Sequence, residues 1–552
     1  MKVSTGNLIV YLSLPVLLVL YFATRLFEMR RKMRGLPKPP HHPILGHLLI
    51  ARDCVNTFPP DAHAQVFGDY IRRKYNLGKF FYLDFWPFGD QFLYIADPDI
   101  ANQVTVGSSL RKSPLLGAYL DILLGNQNML GLEGAAWKLV RSMFNPGFAS
   151  GHLMTLVPYI VDAAVVFGDV LREKAEAGEV FEMEEIATRL TVDVIGKVTL
   201  DVDLNSQRSE HRIVTAFRKR VAMMPVTRPA DPSGLLTKYI NAPWLWYNGR
   251  KLDRYIGEAL DQTYAKRSAD EKSRTSEDSK KKNRSVIGLA LDTYEQEIQD
   301  SSKNHGSSTK EGMDPAFRSH AVDQMKTFIF AGHDTTSSTI AWVFYLLHQH
   351  PDVHAKVVEE LDHVLGPKTS NPADKIRAET YLINRLPYLN AVIKETLRLF
   401  TPASTIRYGD PTVTITDPDH DPSQTYPTAN FHVWVIAHAI HRNETYFPNP
   451  RAFIPERHLD DHHPSATPFP HAKQHKDALR PFERGPRNCI GQELAMIEPR
   501  VILALTVREF DFEAVYPELK DPREVIEGHR CYPVLKGSAK PKGGLPGRVT
   551  VR

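Results

Sequence analysis

A ten-residue stretch near the end of the chain, Phe482–Gly491, carries side chains that could hold an iron atom against a flat ring. Cys489 would supply a soft thiolate ligand to the metal. Arg487 offers a permanent, forked cation for a carboxylate on the ring, and Phe482 gives the sulfur an apolar wall. Gly491 removes a side chain where a helix would have to approach the ring closely. We call this stretch the cysteine loop.

The residues around the thiol favour a sharp turn and an anionic sulfur. Gly485 lets the backbone turn ahead of Cys489. The run that follows, Gln492–Phe510, is apolar at helical spacing, so the cysteine lies at a helix start. There the helix dipole and the free N–H groups stabilise a thiolate. A buried, inert cysteine in front of a helix is the alternative interpretation of the same residues.

A second candidate lies in the middle of a long predicted helix, Asp314–His350, which is apolar along much of its circumference. From Ala331 to Thr336 the sequence reads Ala-Gly-His-Asp-Thr-Thr. A glycine, an acid and two threonines in mid-helix are locally unfavourable, so we expect them to serve something other than helix stability. The alternative is a kinked helix with an acid on its surface.

Three further groups of residues are weak signals by themselves. Trp137 and Arg141 stand four residues apart and share one face of a helix. Glu395 and Arg398 stand three apart on another helix, a pairing that is common and contributes little on an exposed surface. Arg457 adds an arginine in a Pro-rich segment further along the chain.

Taken together, these motifs resemble those of the cytochrome P450 family. The cysteine loop fills every fixed position of F-x-x-G-x-R-x-C-x-G, which looks like the family's haem-binding signature and has a chance occurrence on the order of one in ten thousand or less. W-x-x-x-R, A-G-x-D-T-T, E-x-x-R and the loop follow one another in family order. The resemblance covers nearly the whole chain and implies a mainly α (α+β) fold, in which a large helical domain and a small β-domain enclose a haem.

The resemblance also implies a role for each candidate residue. Cys489 would be the thiolate ligand of the iron of haem b, and Asp334 and Thr335 would form an acid–alcohol pair that relays protons to dioxygen. Haem contacts are implied for Trp137, Arg141, Arg407, Phe482, Arg487 and Gly491. A buried charged network that locks the chain ahead of the cysteine loop is implied for Glu395, Arg398 and Arg457.

Residues 1–34 are expected to form a signal anchor. Leu8–Ala23 is a run of 16 residues without a charge, about 24 Å of helix, which can cross a thin bilayer with help from flanking apolar residues. Basic residues follow it, so the positive-inside rule predicts a catalytic domain, residues 35–552, on the cytosolic face of the endoplasmic reticulum membrane. Residues 35–40 are Pro-rich and predict a stiff hinge. A cleaved signal peptide is the alternative, although no A-x-A site follows.

Composition and missing motifs restrict the partners. A net charge of only +4 gives no reason to expect nucleic acid, and three widely spaced cysteines fit a reducing compartment. No G-x-G-x-x-G unit lies between a strand and a helix, so electrons must come from a partner. The resemblance implies an NADPH–cytochrome P450 reductase, with cytochrome b5 as a further donor. Arg480, Arg484 and Arg487 are expected to begin a positive patch for an acidic partner.

The expected reaction is a monooxygenation. A haem-thiolate monooxygenase would hydroxylate, epoxidise or oxidatively rearrange a hydrophobic small molecule, and the general look of the chain is similar to fungal microsomal members that tailor secondary metabolites. Fatty-acid or xenobiotic hydroxylation is the alternative substrate class. Two other classes stay open: a reductase-independent isomerase or dehydratase of the same fold, and a non-catalytic haem sensor. The acid–alcohol pair favours a true monooxygenase over both.

Overall fold

The computed structural model describes residues 5–224, 232–272, 285–294, 313–367, 369–460, 462–466 and 476–552. The expectation of a mainly helical chain is confirmed within these ranges. Their α-helices are Thr5–Lys32, Leu48–Thr57, Ala64–Lys74, Pro98–Asn102, Pro114–Leu124, Gly134–Phe144, Ser150–Ala177, Met183–Ile195, Arg212–Ala222, Pro232–Lys272, 286–294, Pro315–Gln349, Pro351–Leu365, Pro372–Ala378, Pro387–Leu399, Ala437–Ile440 and Gln492–Thr506.

The strands form small sheets at the edges of the helical body. In chain order they are β1 (Phe80–Asp84), β2 (Gln91–Ile95), β3 (Phe181–Glu182), β4 (Ile406–Tyr408), β5 (Thr414–Asp417), β6 (Asp421–Pro427), β7 (His432–Val435), β8 (Phe510–Ala514), β9 (Pro533–Lys536), β10 (Ser538–Pro541) and β11 (Pro546–Val551). One sheet has the order β1-β2-β7-β4, in which only β2 and β7 run parallel. Strands β3, β11 and β8 form a second sheet, and β5 pairs with β6. Strands β9 and β10 form an antiparallel pair that we call the C-terminal hairpin.

The helix Pro315–Gln349, which we call the central helix, is part of the largest hydrophobic core. Asp314 caps it by accepting the N–H of Phe317 at 3.1 Å, and a proline occupies the first turn, where no N–H is needed. These bounds agree with the predicted helix to within one residue at each end. The central helix packs against the helices Met183–Ile195 and Gln492–Thr506, so it passes beside the residues that follow the cysteine loop.

The N-terminal helix Thr5–Lys32 ends against strand β1. Its described side chains from Leu14 to Tyr21 are exposed, whereas its last turn contacts the rest of the protein through Arg30. The guanidinium of Arg30 pairs with the buried carboxylate of Asp84 on β1 and donates to the carbonyl of Trp86 at 2.9 Å. Met33 is fully buried in the core beneath the four-stranded sheet. The end of this helix is therefore fixed relative to β1.

The Pro-rich segment predicted as a hinge lies against the same strand. The N–H of Tyr82 donates to the carbonyl of Pro37 at 2.9 Å, and His47 contacts the carbonyl of Pro39 at 3.3 Å. These contacts hold the backbone of residues 35–40 in place.

The structure adds little to the expectation of a membrane span. Part of Leu8–Ala23 lies outside the residues whose side chains are described. Among the described residues, Ser150–Ala177 has the length and apolar composition of a membrane span, but over half of its most apolar stretch is buried inside the protein. Its buried side chains belong to the largest core, so it is a core helix.

Candidate haem site

The cysteine loop folds back on itself around the thiol. The N–H of Cys489 donates to the carbonyl of Phe482 at 2.9 Å, and Gly491 forms the N-cap of the helix Gln492–Thr506. The Cys489 side chain is exposed, but the protein packed around it still raises the pKa of its thiol through desolvation, while the N–H of Gly491 and the cations Arg141 and Lys112 act in the opposite direction. A metal cation at the sulfur would remove the remaining penalty, because a coordinating thiol is deprotonated outright.

Gly485 is required by the geometry of the loop. Its φ is +88°, a conformation that L side chains rarely adopt, and a Cβ at this position would overlap the carbonyl oxygen of Thr105. The loop therefore combines a left-handed backbone with a close approach to the segment around Thr105. A glycine at this position of the sequence predicts the turn, whereas the close approach to Thr105 depends on the tertiary structure.

Trp137 and Arg141 lie on the helix Gly134–Phe144 and both reach the cysteine loop. The guanidinium of Arg487 lies 4.6 Å from the ring centre of Trp137 and donates to Glu133 at 2.7 Å. Arg141 donates to the backbone carbonyl of Asn488 at 2.8 Å and to its side-chain oxygen at 2.9 Å. Arg141 thus ties this helix to the residue immediately before Cys489, a contact that the sequence did not indicate.

Arg407 provides a test of whether the site fits a haem. It is fully buried and its Nη1 donates to the carbonyl of Leu110 at 3.0 Å, but its Nε and Nη2 have no hydrogen-bond partner among the described residues. Native proteins rarely leave buried donors unpaired. Burial and the nearby cations Arg407 and Arg487 lower the pKa of Lys112 well below its ordinary value. Three basic side chains therefore lie close together around Arg407. The carboxylates of a haem would pair with such donors, and the residues present therefore fit that group.

Lys112 was missed by sequence analysis. Its backbone N–H donates to Glu133 at 2.7 Å, and it forms an isolated β-bridge with Arg407. No motif surrounds this lysine in the sequence. Only the pairing of two segments separated by almost 300 residues brings it beside Arg407.

The central helix is open at the predicted oxygen motif. Residues 321–329 and 336–347 are buried, whereas Phe330, Ala331, Gly332 and Thr335 are half-exposed. The hydroxyl of Thr335 donates to the carbonyl of Ala331 at 2.8 Å, which engages that carbonyl within the helix. This strip is the partly exposed part of a helix that is otherwise buried between residues 321 and 347.

Asp334 and Thr335 are neighbours in sequence but bind different partners. Asp334 is buried, and its Oδ1 lies 2.8 Å from Nζ of Lys540 on the C-terminal hairpin. The alternative of an acid on the helix surface is therefore wrong. The C-terminal hairpin, Pro533–Pro541, therefore reaches the oxygen motif through Lys540.

Glu395, Arg398 and Arg457 meet in one buried network. Arg398 donates to both oxygens of Glu395 at 2.8 Å, and Nε of Arg457 donates to Oε1 at 3.1 Å. His458, which sequence analysis did not include, contacts Oε2 of the same carboxylate at 2.8 Å. Arg398 also donates to the carbonyls of His441 and Pro450. The network joins the helix Pro387–Leu399 to the segment that leads toward the cysteine loop.

The expected positive patch is not formed as predicted. Arg480 is fully buried and donates to Glu483 at 2.8 Å, and Arg487 is turned inward against Glu133. Of the three arginines, Arg484 alone has a substantial exposed fraction, 41% of its side chain. Charge counting in the sequence could not distinguish buried from exposed arginines.

Comparisons with known proteins agree with this architecture. The family model described as cytochrome P450 matches residues 36–529. Cytochrome P450 monooxygenase acrF of Aspergillus aculeatus is 39% identical over 518 residues, covering 88% of this chain and 97% of the relative. Cytochrome P450 monooxygenase polC of Polytolypa hystricis is 34% identical over 541 residues, covering 96% and 92%. The crystal structure of the cytochrome P450DA heme domain has a TM-score of 0.68 at 18% identity, covering 94% of this chain and 96% of that chain, a likeness of fold.

A mainly helical body with small sheets and a cysteine loop ahead of a core helix is the architecture of a haem-enclosing oxygenase. The chain belongs to the cytochrome P450 family. It is an oxidoreductase that incorporates oxygen, and membership implies a haem with a cysteine thiolate ligand, a redox partner, dioxygen and a hydrophobic substrate.

Proposed function

We propose that Cys489 holds haem b through its thiolate in a microsomal monooxygenase, with residues 35–552 as its catalytic domain. The observation that carries the assignment is the pair of unpartnered donors on fully buried Arg407, beside a loop that presents Cys489. An iron-holding ring that carries carboxylates meets both requirements, because its carboxylates would accept from Arg407 and its iron would bind the thiolate. Trp137, Arg141, Phe482, Arg487 and Gly491 complete the proposed haem contacts, and Glu395, Arg398 and Arg457 hold the preceding chain in register.

The bound haem would supply the oxygen-activating chemistry, and the protein residues would supply binding and protons. Arg407 and Arg487 would pair with the ring carboxylates. The hydroxyl of Thr335 lies on the half-exposed strip of the central helix, where it can pass a proton to dioxygen. Asp334, one residue away and buried, would resupply that proton. This division of roles supports a monooxygenase over an isomerase, which has no need of a proton relay.

The proposed electron donor is an NADPH–cytochrome P450 reductase, with cytochrome b5 as a second donor. The proposed substrate is a hydrophobic small molecule of fungal secondary metabolism, and the reaction is hydroxylation, epoxidation or oxidative rearrangement. This assignment is supported by the identity of the chain with two fungal monooxygenases, at 39% and 34%. Fatty-acid or xenobiotic hydroxylation is the alternative substrate class.

We further propose that residues 1–34 anchor the protein in the endoplasmic reticulum membrane with the catalytic domain in the cytosol. The exposed apolar side chains from Leu14 to Tyr21 support it. A second support comes from the helix Pro232–Lys272, where Trp244 and Trp246 are 60% and 63% exposed. Tryptophan is enriched at membrane interfaces, and these two side chains do not pack inside the protein.

The test is the difference spectrum of the dithionite-reduced protein with carbon monoxide, recorded beside Cys489→Ala. A strongly red-shifted Soret band in the parent that is lost in the variant supports thiolate ligation. A band typical of histidine-ligated haem would overturn it. NADPH and reductase dependence of turnover then separates the monooxygenase from an isomerase, which would act without either.

A further inference from the structure

Three charged side chains meet where the C-terminal hairpin contacts the central helix. Nζ of Lys540 lies 2.8 Å from Oδ1 of Asp334 and 2.6 Å from Oε1 of Glu184. The side chains of Lys540, Asp334 and Glu184 are 13%, 8% and 11% exposed. Lys540 lies on β10 and Glu184 on the helix Met183–Ile195, so one ammonium group joins three elements.

The carboxylates of Glu184 and Asp334 have different hydrogen-bond partners. Oε1 of Glu184 also accepts from the hydroxyl of Thr188 at 2.8 Å and from that of Ser337 at 3.3 Å. Asp334 has only Lys540 at Oδ1, and its Oδ2 is buried with no hydrogen-bond partner in the described part of the chain. Gly537 borders that oxygen, since a Cβ there would come within 3.2 Å of it. Because Gly537 has no side chain, no Cβ crowds Oδ2 from this side.

The ammonium group of Lys540 offsets part of the cost of burying the Asp334 carboxylate. A buried carboxylate without a partner carries a desolvation penalty of several kcal/mol and becomes protonated instead. Burial disfavours the ammonium too, but Asp334 and Glu184 outweigh that effect and raise the pKa of Lys540. Lys540 therefore stays charged and is not itself a proton donor.

We propose that Lys540 is a positioning residue for proton delivery, which holds Asp334 by one oxygen and leaves the other free to take up a proton and pass it on toward Thr335. The proposal rests on the proposed function of Asp334 and Thr335. In this role the proton moves from solvent to Oδ2 of Asp334, then to the Thr335 hydroxyl as that hydroxyl gives up its own proton. Lys540 remains protonated throughout.

The first measurement concerns the protonation state of Asp334 and does not depend on turnover. The infrared spectrum of the purified holoenzyme reports protonated carboxyl groups through their C=O stretch. We expect Lys540→Met at neutral pH to gain one such band, which a second substitution, Asp334→Asn, removes. Lys540→Arg keeps the charge and should gain no band. Lys542→Met is the matched control, because Lys542 follows two residues later and pairs with Asp61 instead.

The second measurement follows the products of NADPH-driven turnover with purified reductase and no added substrate. Each dioxygen then becomes either hydrogen peroxide, which consumes one NADPH, or two waters, which consume two. We expect both Lys540→Met and Thr335→Ala to raise the peroxide fraction at least about twofold, because proton delivery by positioned groups contributes large factors to rate. Lys540→Arg should restore the parent value. Should Lys540→Met fail to fold, Lys540→Gln, which keeps a donor but no charge, takes its place.

The outcomes separate the two proposals. If Thr335→Ala leaves the peroxide fraction unchanged, the relay through Asp334 and Thr335 is wrong. If Thr335→Ala raises it while Lys540→Met neither raises it nor produces a carboxyl band assigned to Asp334, the role of Lys540 alone is overturned. Glu184→Gln removes a member of the same cluster but keeps Lys540 beside Asp334. A purely structural cluster would respond to it as to Lys540→Met, whereas our proposal predicts no band and no added peroxide.

Discussion

Arg398 donates to both carboxylate oxygens of Glu395, each at 2.8 Å, and neither side chain is exposed to solvent. Such a pair is stable only when its remaining hydrogen-bonding groups are satisfied. Arg457 and His458 occupy the other positions around the same carboxylate. The cations outweigh burial and lower the pKa of Glu395, so the group is ionised in the folded protein.

Replacing Glu395 by Gln should leave buried arginines without their counter-charge and lower the free energy of unfolding by about 3–5 kcal/mol. Chemical denaturation of the holoenzyme measures this loss, and the carbon monoxide spectrum reports whether haem is still incorporated. Glu359→Gln, at an exposed position of a nearby helix, should change stability by no more than about 0.5 kcal/mol. Equal stability of the two variants would contradict a locking role for Glu395.

Gly485 and Gly528 provide a matched pair of glycine positions. Both have a left-handed φ, +88° and +87°, but a Cβ at Gly485 would overlap the backbone of Thr105, whereas a Cβ at Gly528 meets nothing within 4 Å. Each Ala variant suffers the backbone strain, about 1–2 kcal/mol, but Gly485→Ala alone must also displace the cysteine loop. We expect Gly485→Ala to lose haem and Gly528→Ala to retain it, as measured by the haem-to-protein absorbance ratio.

Arg407 should affect haem retention and apoprotein stability in opposite directions. Its two unpaired donors make it an unfavourable buried cation without haem. Arg407→Leu should therefore leave the haem-free protein as stable as the parent, or more so. Loss of one charge-assisted hydrogen bond, about 1.5 kcal/mol, should speed haem transfer to an acceptor globin roughly tenfold. A variant with parental transfer kinetics would exclude Arg407 from the haem contacts.

Thr335→Ala should divert NADPH-driven turnover toward peroxide because it removes the hydroxyl from the half-exposed strip of the central helix. Thr335→Ser keeps a hydroxyl at the same position and is the control. We expect the Ser variant to give peroxide close to the parent level. Similar peroxide fractions in the Ala and Ser variants would show that the hydroxyl has no part in proton transfer.

His63 should make the protein less stable in mild acid. Its Nδ1 accepts the N–H of Gln65 and caps the helix Ala64–Lys74, a bond that only the unprotonated nitrogen can make. Burial lowers the pKa of His63 to about 4, below the unfolded value near 6.5. Between pH 4 and pH 6.5 the unfolded state binds more protons at His63 than the folded state does. The contribution of neutral His63 to the free energy of unfolding is therefore fully present above about pH 6.5 and is lost as the pH falls toward 4.

Urea unfolding at about pH 7 and pH 5 measures the effect, which we expect to be about 2 kcal/mol for this one group. His63→Asn keeps a capping acceptor but does not titrate, so it should reduce the loss by that amount. His320→Asn, at an exposed position, should retain the parent's pH dependence. The same loss in all three proteins would contradict the assignment to His63.

Sequence patterns predicted the elements whose formation depends on residues close together along the chain. The central helix was predicted to within one residue at each end because its cap, its proline and its apolar periodicity are all local signals. The stretch Gly78–Ala96, where β1 and β2 form, favours strands through equally local features: aromatic and β-branched side chains bounded by Gly and Pro. The positive patch at Arg480 and Arg487 was wrong because an arginine's exposure depends on partners far away in sequence, here Asn102 and Glu133.

The sequence alone determined the family resemblance, the cysteine loop and the order of the motifs, since these depend on residue identity at short spacing. The tertiary structure decided which groups those residues face. Lys112 and Arg407 come together across 295 residues, and Lys540 reaches Asp334 across 206. Such pairings depend on how helices and strands pack over long sequence separations, and no short-range periodicity encodes them. The charges around the haem site are therefore a property of the fold.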